Sequence, residues 1–288
     1  MTYDYRRGCL TDGALRDSFN RLTREVFGFD FEKWHAQGYW TDRLTSYRPN
    51  MLLDGGAVVA NVSETRLRFS LDGRFYDCIQ LGTVMTDPAY RGRGLSRRLM
   101  ETVLAQDCDL FYLYANDSVL DFYPKFGFRR VREYAFSCAA PQSQDAAVRA
   151  DMTDRSAREK LIARYAQGNP FSAVESDSQI GLLMFYCAGF MKDSVYFMDD
   201  LSAAAVAEYD GNTMTLCDVF CPPETPLEDV LSRLCRPKTE RIEFGFTPRD
   251  SAALTAAPIE GDDALFVLPR RASLFEDRPV RLPLLTHT

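Results

Sequence analysis

Several things are scarce in this 288-residue sequence. Its longest nearly apolar stretch, 180–191, is far shorter than the ~20 residues a membrane-crossing helix needs, so no membrane partner is expected. No apolar run follows the opening charges of MTYDYRR, and no signal peptide is expected. Histidine occurs only at 35 and 287. The eight cysteines have no regular spacing, and the nearest pair, Cys217 and Cys221, has no second pair beside it. That pattern points to reduced thiols in a cytoplasmic protein, with neither a metal site nor a disulfide framework. An excess of positive charge is missing too. With 34 basic and 41 acidic residues the net charge is −7, which argues against nucleic acid as a partner.

What the chain does have is a globular composition, 46% hydrophobic and 26% charged, over a length suited to about two domains. Residues 1–150 carry 20 basic and 19 acidic side chains, whereas 151–288 carry 14 and 22. One stretch runs against this background: 91–98 holds four arginines and no acid. Leu15, Phe19, Leu22 and Val26 form a helical stripe, and 30–37 reads as a shorter helix. Strand-like runs at 47–53, 57–69 and 74–86 are separated by Asp54-Gly55-Gly56 and Asp72-Gly73. Leu95, Leu99, Val103 and Leu104 mark another helix, followed by a strand at 110–115, a short helix at 118–123 and a last strand at 128–137. The small, polar stretch 139–150 reads as a linker. Beyond it the order recurs, with helices at 156–166 and 180–190, strands at 195–198, 203–209 and 214–220, a helix at 227–234, a strand at 242–246 and an apolar run at 265–268. The expectation is an α/β (α+β) chain with units at 1–138 and 151–288, each a mixed, mostly antiparallel sheet flanked by helices.

Chemistry concentrates where the run 79–86 enters a loop with Gly92 and Gly94, and a helix starts at Leu95. A helix start leaves backbone N–H groups unpaired and carries partial positive charge. Glycines let a bulky anion approach the backbone, and Arg91 and Arg93 add charge, so the sum is a pyrophosphate cradle. No Lys-Ser/Thr follows, as a P-loop requires, and the third glycine of the dinucleotide fingerprint is missing. Alone, the segment is equally well a tight turn with solvated arginines. It is not alone, because Asn116-Asp117-Ser118 and Tyr123-Pro124-Lys125-Phe126-Gly127-Phe128 follow one helix and one strand later. Together these resemble the N-acetyltransferases of the GNAT superfamily. The family's pyrophosphate signature, Gln/Arg-x-x-Gly-x-Gly/Ala, matches Arg91 to Ser96 except at Ser96. Its second signature, a strand then Asn and then Tyr shortly before Gly-Phe, matches Asn116, Tyr123, Gly127 and Phe128. The resemblance covers 1–137.

That resemblance implies an acetyl-CoA-dependent N-acetyltransferase acting on the amine of a small molecule or peptide. It implies Val84, Met85 and Thr86 beside the pantetheine arm, with an N–H of Val84 or Met85 as oxyanion donor. Gly82 is expected to permit a bulge there. Amides of Gly92, Arg93, Gly94, Leu95, Ser96 and Arg97 would hold the pyrophosphate, while Asn116 and Ser118 contact the arm from the opposite strand. Tyr123 would protonate the leaving thiolate, the alternative being a buried aromatic that caps a helix end. Glu64, Asp77, Asp87 and His35 are base candidates by residue type only, and a water chain could serve instead. The aromatic-rich stretch 27–40 includes Phe29, Trp34 and Trp40 as acceptor-pocket residues, with core packing as the alternative. In the second half, Pro222, Pro223 and Pro226 stand where amides would be needed, so that unit is a degenerate GNAT-like domain lacking the cofactor loop. It could shape the acceptor cleft or form a homodimer contact. The tandem arrangement resembles acetyltransferases of the enhanced-intracellular-survival type. Two competing readings are a CoA-binding sensor or assembly module without turnover, and, more distantly, a nucleic-acid protein using RGRG as an arginine-glycine element.

Overall fold

Turn chemistry and side-chain alternation cut the first half into its elements. The computed structural model describes residues 2–261, 263–275 and 279–288. After β1 (Asp4–Arg7), Asp12 caps α1 (Gly13–Phe27) by accepting from the Leu15 amide at 3.0 Å, and Gly28 ends it in the left-handed conformation at φ 78°. Then come α2 (Glu32–Ala36), β2 (Arg48–Asp54), β3 (Ala57–Leu71) and β4 (Arg74–Thr86). They are followed by α3 (Leu95–Leu104), β5 (Leu110–Asn116), β6 (Arg129–Val131), β7 (Tyr134–Ala139) and β8 (Val148–Arg149). The second half contains α4 (Arg155–Tyr165), β9 (Val174–Ser176), α5 (Ile180–Phe185), β10 (Val195–Met198), β11 (Ala203–Asp210) and β12 (Thr213–Phe220). Its last elements are α6 (Leu227–Leu234), β13 (Arg241–Phe244), β14 (Thr255–Pro258) and β15 (Asp263–Pro269). No described helix is long and apolar enough to cross a membrane.

The first sheet has the order β1-β2-β3-β4-β5-β15-β6, with β9 added to β3. Alternation decides what each face meets. Leu52, Val62, Ile79 and Leu113 face α3 and pack against its Leu95, Leu99, Met100 and Val103. Met51 and Leu53, one residue out of phase with Leu52, face α1 and α2 and the rings of Phe19, Trp34 and Trp40. Each fully buried side chain of this kind contributes roughly 1.5–3 kcal/mol of transfer free energy. The second sheet runs β14-β7-β13-β12-β11-β10-β8, with α6 over Ala205, Leu216 and Phe244. On its other face, Leu161 of α4 and Leu183 of α5 cover Ala204, Val206 and Cys217. The fold is thus α/β with two mixed sheets flanked by helices.

Besides the short strands β9 and β14, which no expected run matched, three expected elements differ. The run 128–137 is two strands, because β6 closes the first sheet and β7 crosses into the second, pairing with β13 and β14. The apolar run at 265–268 returns the exchange, since β15 enters the first sheet between β5 and β6. The expected helix at 118–123 is replaced by two 3-10 turns, Asp117–Val119 and Tyr123–Phe126.

Both sheets contain a fork. β4 and β5 run parallel but pair only at Cys78–Leu110, Ile79–Phe111 and Gln80–Tyr112, after which they diverge. β12 and β13, also parallel, pair from Thr213–Arg241 to Leu216–Phe244 and then separate.

Candidate active site

The first fork leaves β4 without a strand partner on that side from Leu81 onward, and the strand is bent there. Against β3 the register jumps between Ser63–Gly82 and Asn61–Met85, which is a bulge. Thr83 absorbs it at φ 48°, an uncommon conformation for a β-branched residue. Its strain is held by a network: Thr83 Oγ1 lies 2.8 Å from the Tyr47 hydroxyl, Ser63 Oγ donates to that hydroxyl at 2.7 Å, and Asn61 Nδ2 donates to the Thr83 carbonyl at 2.8 Å. The glycine expected to permit the bulge serves another end. A Cβ on Gly82 would stand 2.5 Å from the Thr288 carbonyl oxygen, so Gly82 admits residue 288 into the fork. Gln80 Nε2 also donates to that oxygen, at 3.4 Å.

At the far end of β4 the chain turns through Asp87, whose side chain accepts from the Ala89 amide, into the arginine-glycine loop. Gly92 and Gly94 adopt φ 74° and 73°, and a Cβ on either would meet nothing within 4 Å. The backbone there is open to a ligand. Gly94 caps α3 without a side-chain hydrogen bond, and the first amide turned back into the helix is Arg98, bonded to the Gly94 carbonyl at 3.1 Å. The amides of Leu95, Ser96 and Arg97 therefore form the free N-terminus of α3. Ser96, the departure from the family signature, has its own partner: its hydroxyl lies 2.6 Å from Thr86 Oγ1 and ties the helix start to the strand. Arg91 and Arg97 are exposed beside these amides. Arg93 leans over the Tyr90 ring at 4.7 Å and donates to the Ala89 carbonyl at 3.0 Å.

Across the fork, Asn116 Oδ1 accepts from both the amide and the hydroxyl of Ser118, at 3.1 and 2.6 Å, which turns the chain out of β5. Tyr123 is buried, and no hydrogen bond of its hydroxyl is found among the described residues. Burial pushes its pKa up to about 12, so the phenol keeps its proton at neutral pH.

One cavity of about 1290 Å³ is bordered by all of these: Val84, Met85, Thr86, 91–97, Asn116, Ser118 and Tyr123, with Phe29 at its rim. Trp34 and Trp40 are not brought to it. They stack at 5.4 Å in the core under α1, and Trp34 Nε1 donates to the Gly181 carbonyl at 2.7 Å. Nor do the base candidates named by type border it. Glu64 is buried against Arg7, Asn50 and Gln106, Asp77 pairs with Arg68, Asp87 caps its turn, and His35 packs edge-on to Trp40.

Sequence reasoning missed the other end of the cavity, where Glu133, Arg281, Tyr186 and His287 meet. Glu133 accepts from the Leu282 amide at 3.0 Å and from the Tyr114 hydroxyl at 3.2 Å. Burial raises its pKa, while the Leu282 amide, Arg281 and Tyr114 pull it back. His287 stacks on Tyr114 at 4.0 Å, and burial together with the Arg281 charge lowers its pKa to about 3. The imidazole is neutral there. No local pattern marks these residues, because residues 133 and 281–287 meet only after the chain has crossed between sheets. The one available signal was an acid inside the strand-like run 128–137.

Parallel strands that part above a helix N-terminus, with a buried phenol bordering the same cavity, make this the candidate site. Residues 11–131 match the family model described as the acetyltransferase (GNAT) domain. The first half is therefore a GNAT acetyltransferase domain, and the chain is an acyltransferase by class. Among solved structures, the chain is similar to a probable N-acyltransferase of unknown function from Enterococcus faecalis V583, with a TM-score of 0.58 and 14% identity over 94% of this chain and 73% of that one. It is also similar to a GCN5-related N-acetyltransferase from Kribbella flavida (TM-score 0.55, 17% identity, 92% and 72% covered). A third such structure is Eis1 from Mycobacterium abscessus (TM-score 0.53, 17% identity, 91% and 73% covered). At these identities the likeness is one of fold, and it extends over both halves.

Proposed function

We propose that the chain is an acetyl-CoA-dependent N-acetyltransferase whose acceptor is the amine of a small molecule or peptide. The observation that carries this reading is the convergence, on one cavity, of the open edge of β4, the free N-terminus of α3 and the protonated hydroxyl of Tyr123. The residues fit the co-substrate. Amides from Gly92 to Arg97, with Arg91 and Arg97, would hold its pyrophosphate, and Val84 to Thr86 would line its arm. When bound, the thioester supplies the acetyl group: the N–C bond forms as the C–S bond breaks. An N–H of Val84 or Met85 would polarise the thioester carbonyl. Tyr123 gives its proton to the departing sulfur, a role open to a phenol that borders the cavity and is protonated at neutral pH. At the opposite end, the Glu133 carboxylate is the group best suited to receive the incoming ammonium, whose excess protons pass through water as the free amine attacks and Tyr123 is reprotonated, and Phe29 also borders the cavity.

The test is release of free thiol from acetyl-CoA in the presence of polyamines, aminoglycosides and peptides with free N-termini. Acceptor-stimulated release is the expected result. Tight binding of acetyl-CoA with no acceptor-stimulated release would instead favour a CoA-binding module without turnover. Absence of any calorimetric heat on adding acetyl-CoA would overturn both.

A further inference from the structure

Outside the site already described, one buried carboxylate stands apart. Asp218 lies on β12, two residues past the last pairing with β13, and so within the second fork. Its Oδ1 accepts from Asn169 Nδ2 at 2.8 Å and from the Val219 amide at 2.9 Å, and no basic side chain pairs with it among the described residues. The carboxyl borders a cavity of about 590 Å³, within the range of small-molecule sites. Tyr165 and Phe220, edge to face with centroids 5.0 Å apart, form its aromatic wall. Gln167 adds an Oε1 that is buried without a hydrogen-bond partner among the described residues. Tyr165, the last residue of α4, and its C-cap Ala166 also border the cavity, and a helix carries partial negative charge at that end. Arg249 borders the same cavity, but its guanidinium pairs with Glu175 at 2.6 Å and donates to the Ser172 carbonyl at 3.0 Å. The groups left over, a carboxylate oxygen, an amide oxygen and a helix C-terminus, all attract a positively charged donor.

We propose that this cavity binds a small organic ammonium ion, with its N–H groups taken by Asp218 and Gln167 and its carbon skeleton against Tyr165 and Phe220. A divalent metal is poorly served here, since a hard cation gathers six or more oxygens and no cluster of metal-binding side chains occurs among the described residues. A nucleotide is poorly served too, because Pro222, Pro223 and Pro226 occupy the loop that would have to supply amides. The second unit thus keeps the fork of the first and exchanges an anion site for a cation site. Such a ligand accounts for a carboxylate retained at a disadvantage. Burial raises the Asp218 pKa to about 7, with Asn169 and the Val219 amide only partly offsetting it. The native state holds that proton more tightly than the unfolded chain, so stability is lost as pH rises from about 4 through 7. The titratable neighbours, Tyr165 of α4, Cys187 beyond α5 and Cys217 of β12, stay neutral because burial raises each. Glu175 and Arg249 pair with one another.

Thermal-shift titration of the full chain at pH 8 with butylammonium, tetramethylammonium, butanol, calcium and magnesium tests the assignment, with matched sodium chloride as reference. A saturable rise in Tm with butylammonium and none with butanol is expected. Asp218→Asn should weaken that response at least ten-fold and Gln167→Leu several-fold, with acetyl-CoA binding unchanged in both. Without amine, Asp218→Asn should melt higher than the parent at pH 8 and not at pH 4, which separates loss of the ligand from loss of the fold. Amine binding that survives Asp218→Asn, no saturable shift, or a larger response to calcium or magnesium would overturn the proposal. Since acetyl-CoA binding is read on the same samples, failure here and failure of the acetyltransferase reading are distinguishable.

Discussion

Two side chains show how position sets chemistry. Tyr123 is an ordinary phenol in sequence, protonated at neutral pH in any case, and burial extends that range by pushing its pKa up to about 12. Tyr123→Phe removes that proton while leaving the packing against Phe128 and Phe266, with centroids at 6.1 and 5.9 Å. Thiol release should fall about 10²–10⁴-fold, with acetyl-CoA affinity little changed. An unchanged release rate at every pH would remove Tyr123 from the mechanism. His287 makes the opposite point. Its pKa of about 3, set by burial and then by Arg281, lies below the ordinary value near 6.5. Between those pH values the unfolded chain binds a proton that the native state refuses, so stability is full above about 6.5 and falls as pH drops toward 3. The slope from this group is about 1.4 kcal/mol per pH unit inside that window. Urea titrations between pH 6.5 and 4.5 should show the loss, and His287→Phe should flatten it relative to the parent.

Among elements, the loop and the helix it feeds carry most of the binding argument. Gly94→Val places a β-branched side chain at φ 73°, a strain of about 1–2 kcal/mol, and puts carbon where the ligand would lie. Acetyl-CoA affinity should drop ten-fold or more by calorimetry, with a smaller loss of stability. Gly82→Ala pushes against the Thr288 backbone and should cost about 1–3 kcal/mol in chemical denaturation, as overpacking does. At this scale the sequence was most readable. Helix α3, strand β4 and the turn residues Asp72-Gly73 and Asp210-Gly211 declare themselves through spacing of three and four, through alternation and through turn chemistry. The arginine-glycine loop was readable for the same reason, since amides and glycines at a helix start are a local arrangement. Glu133, Arg281 and His287 were not, because their burial and their neighbours depend on which sheet each passing strand joins. Trp34 and Trp40 illustrate the limit from the other side: an aromatic-rich stretch is written identically whether it lines a pocket or fills a core.

The whole molecule is held by an exchange that no local pattern announces. β7 belongs to the second sheet although it follows β6 after two residues, and β15 returns to the first sheet from the far end of the chain. Without β15, β5 would lose its partner from Leu110 to Asn116, and β6 would be cut off from the sheet. A fragment covering 1–138 should therefore be unfolded or aggregated when made alone. Co-expression with 139–288 should rescue it, and the intact chain should melt in a single calorimetric transition. Two separable transitions would show that each half is stable without the other's strand.

This lacing limits how the enzyme can breathe. Swinging the halves apart like a jaw would tear two ladders of backbone hydrogen bonds at once, so rigid-body gaping is closed to it. Traffic into the cleft has to pass through small rearrangements of the segments that border it, such as the 3-10 turns after β5, while the scaffold stays shut.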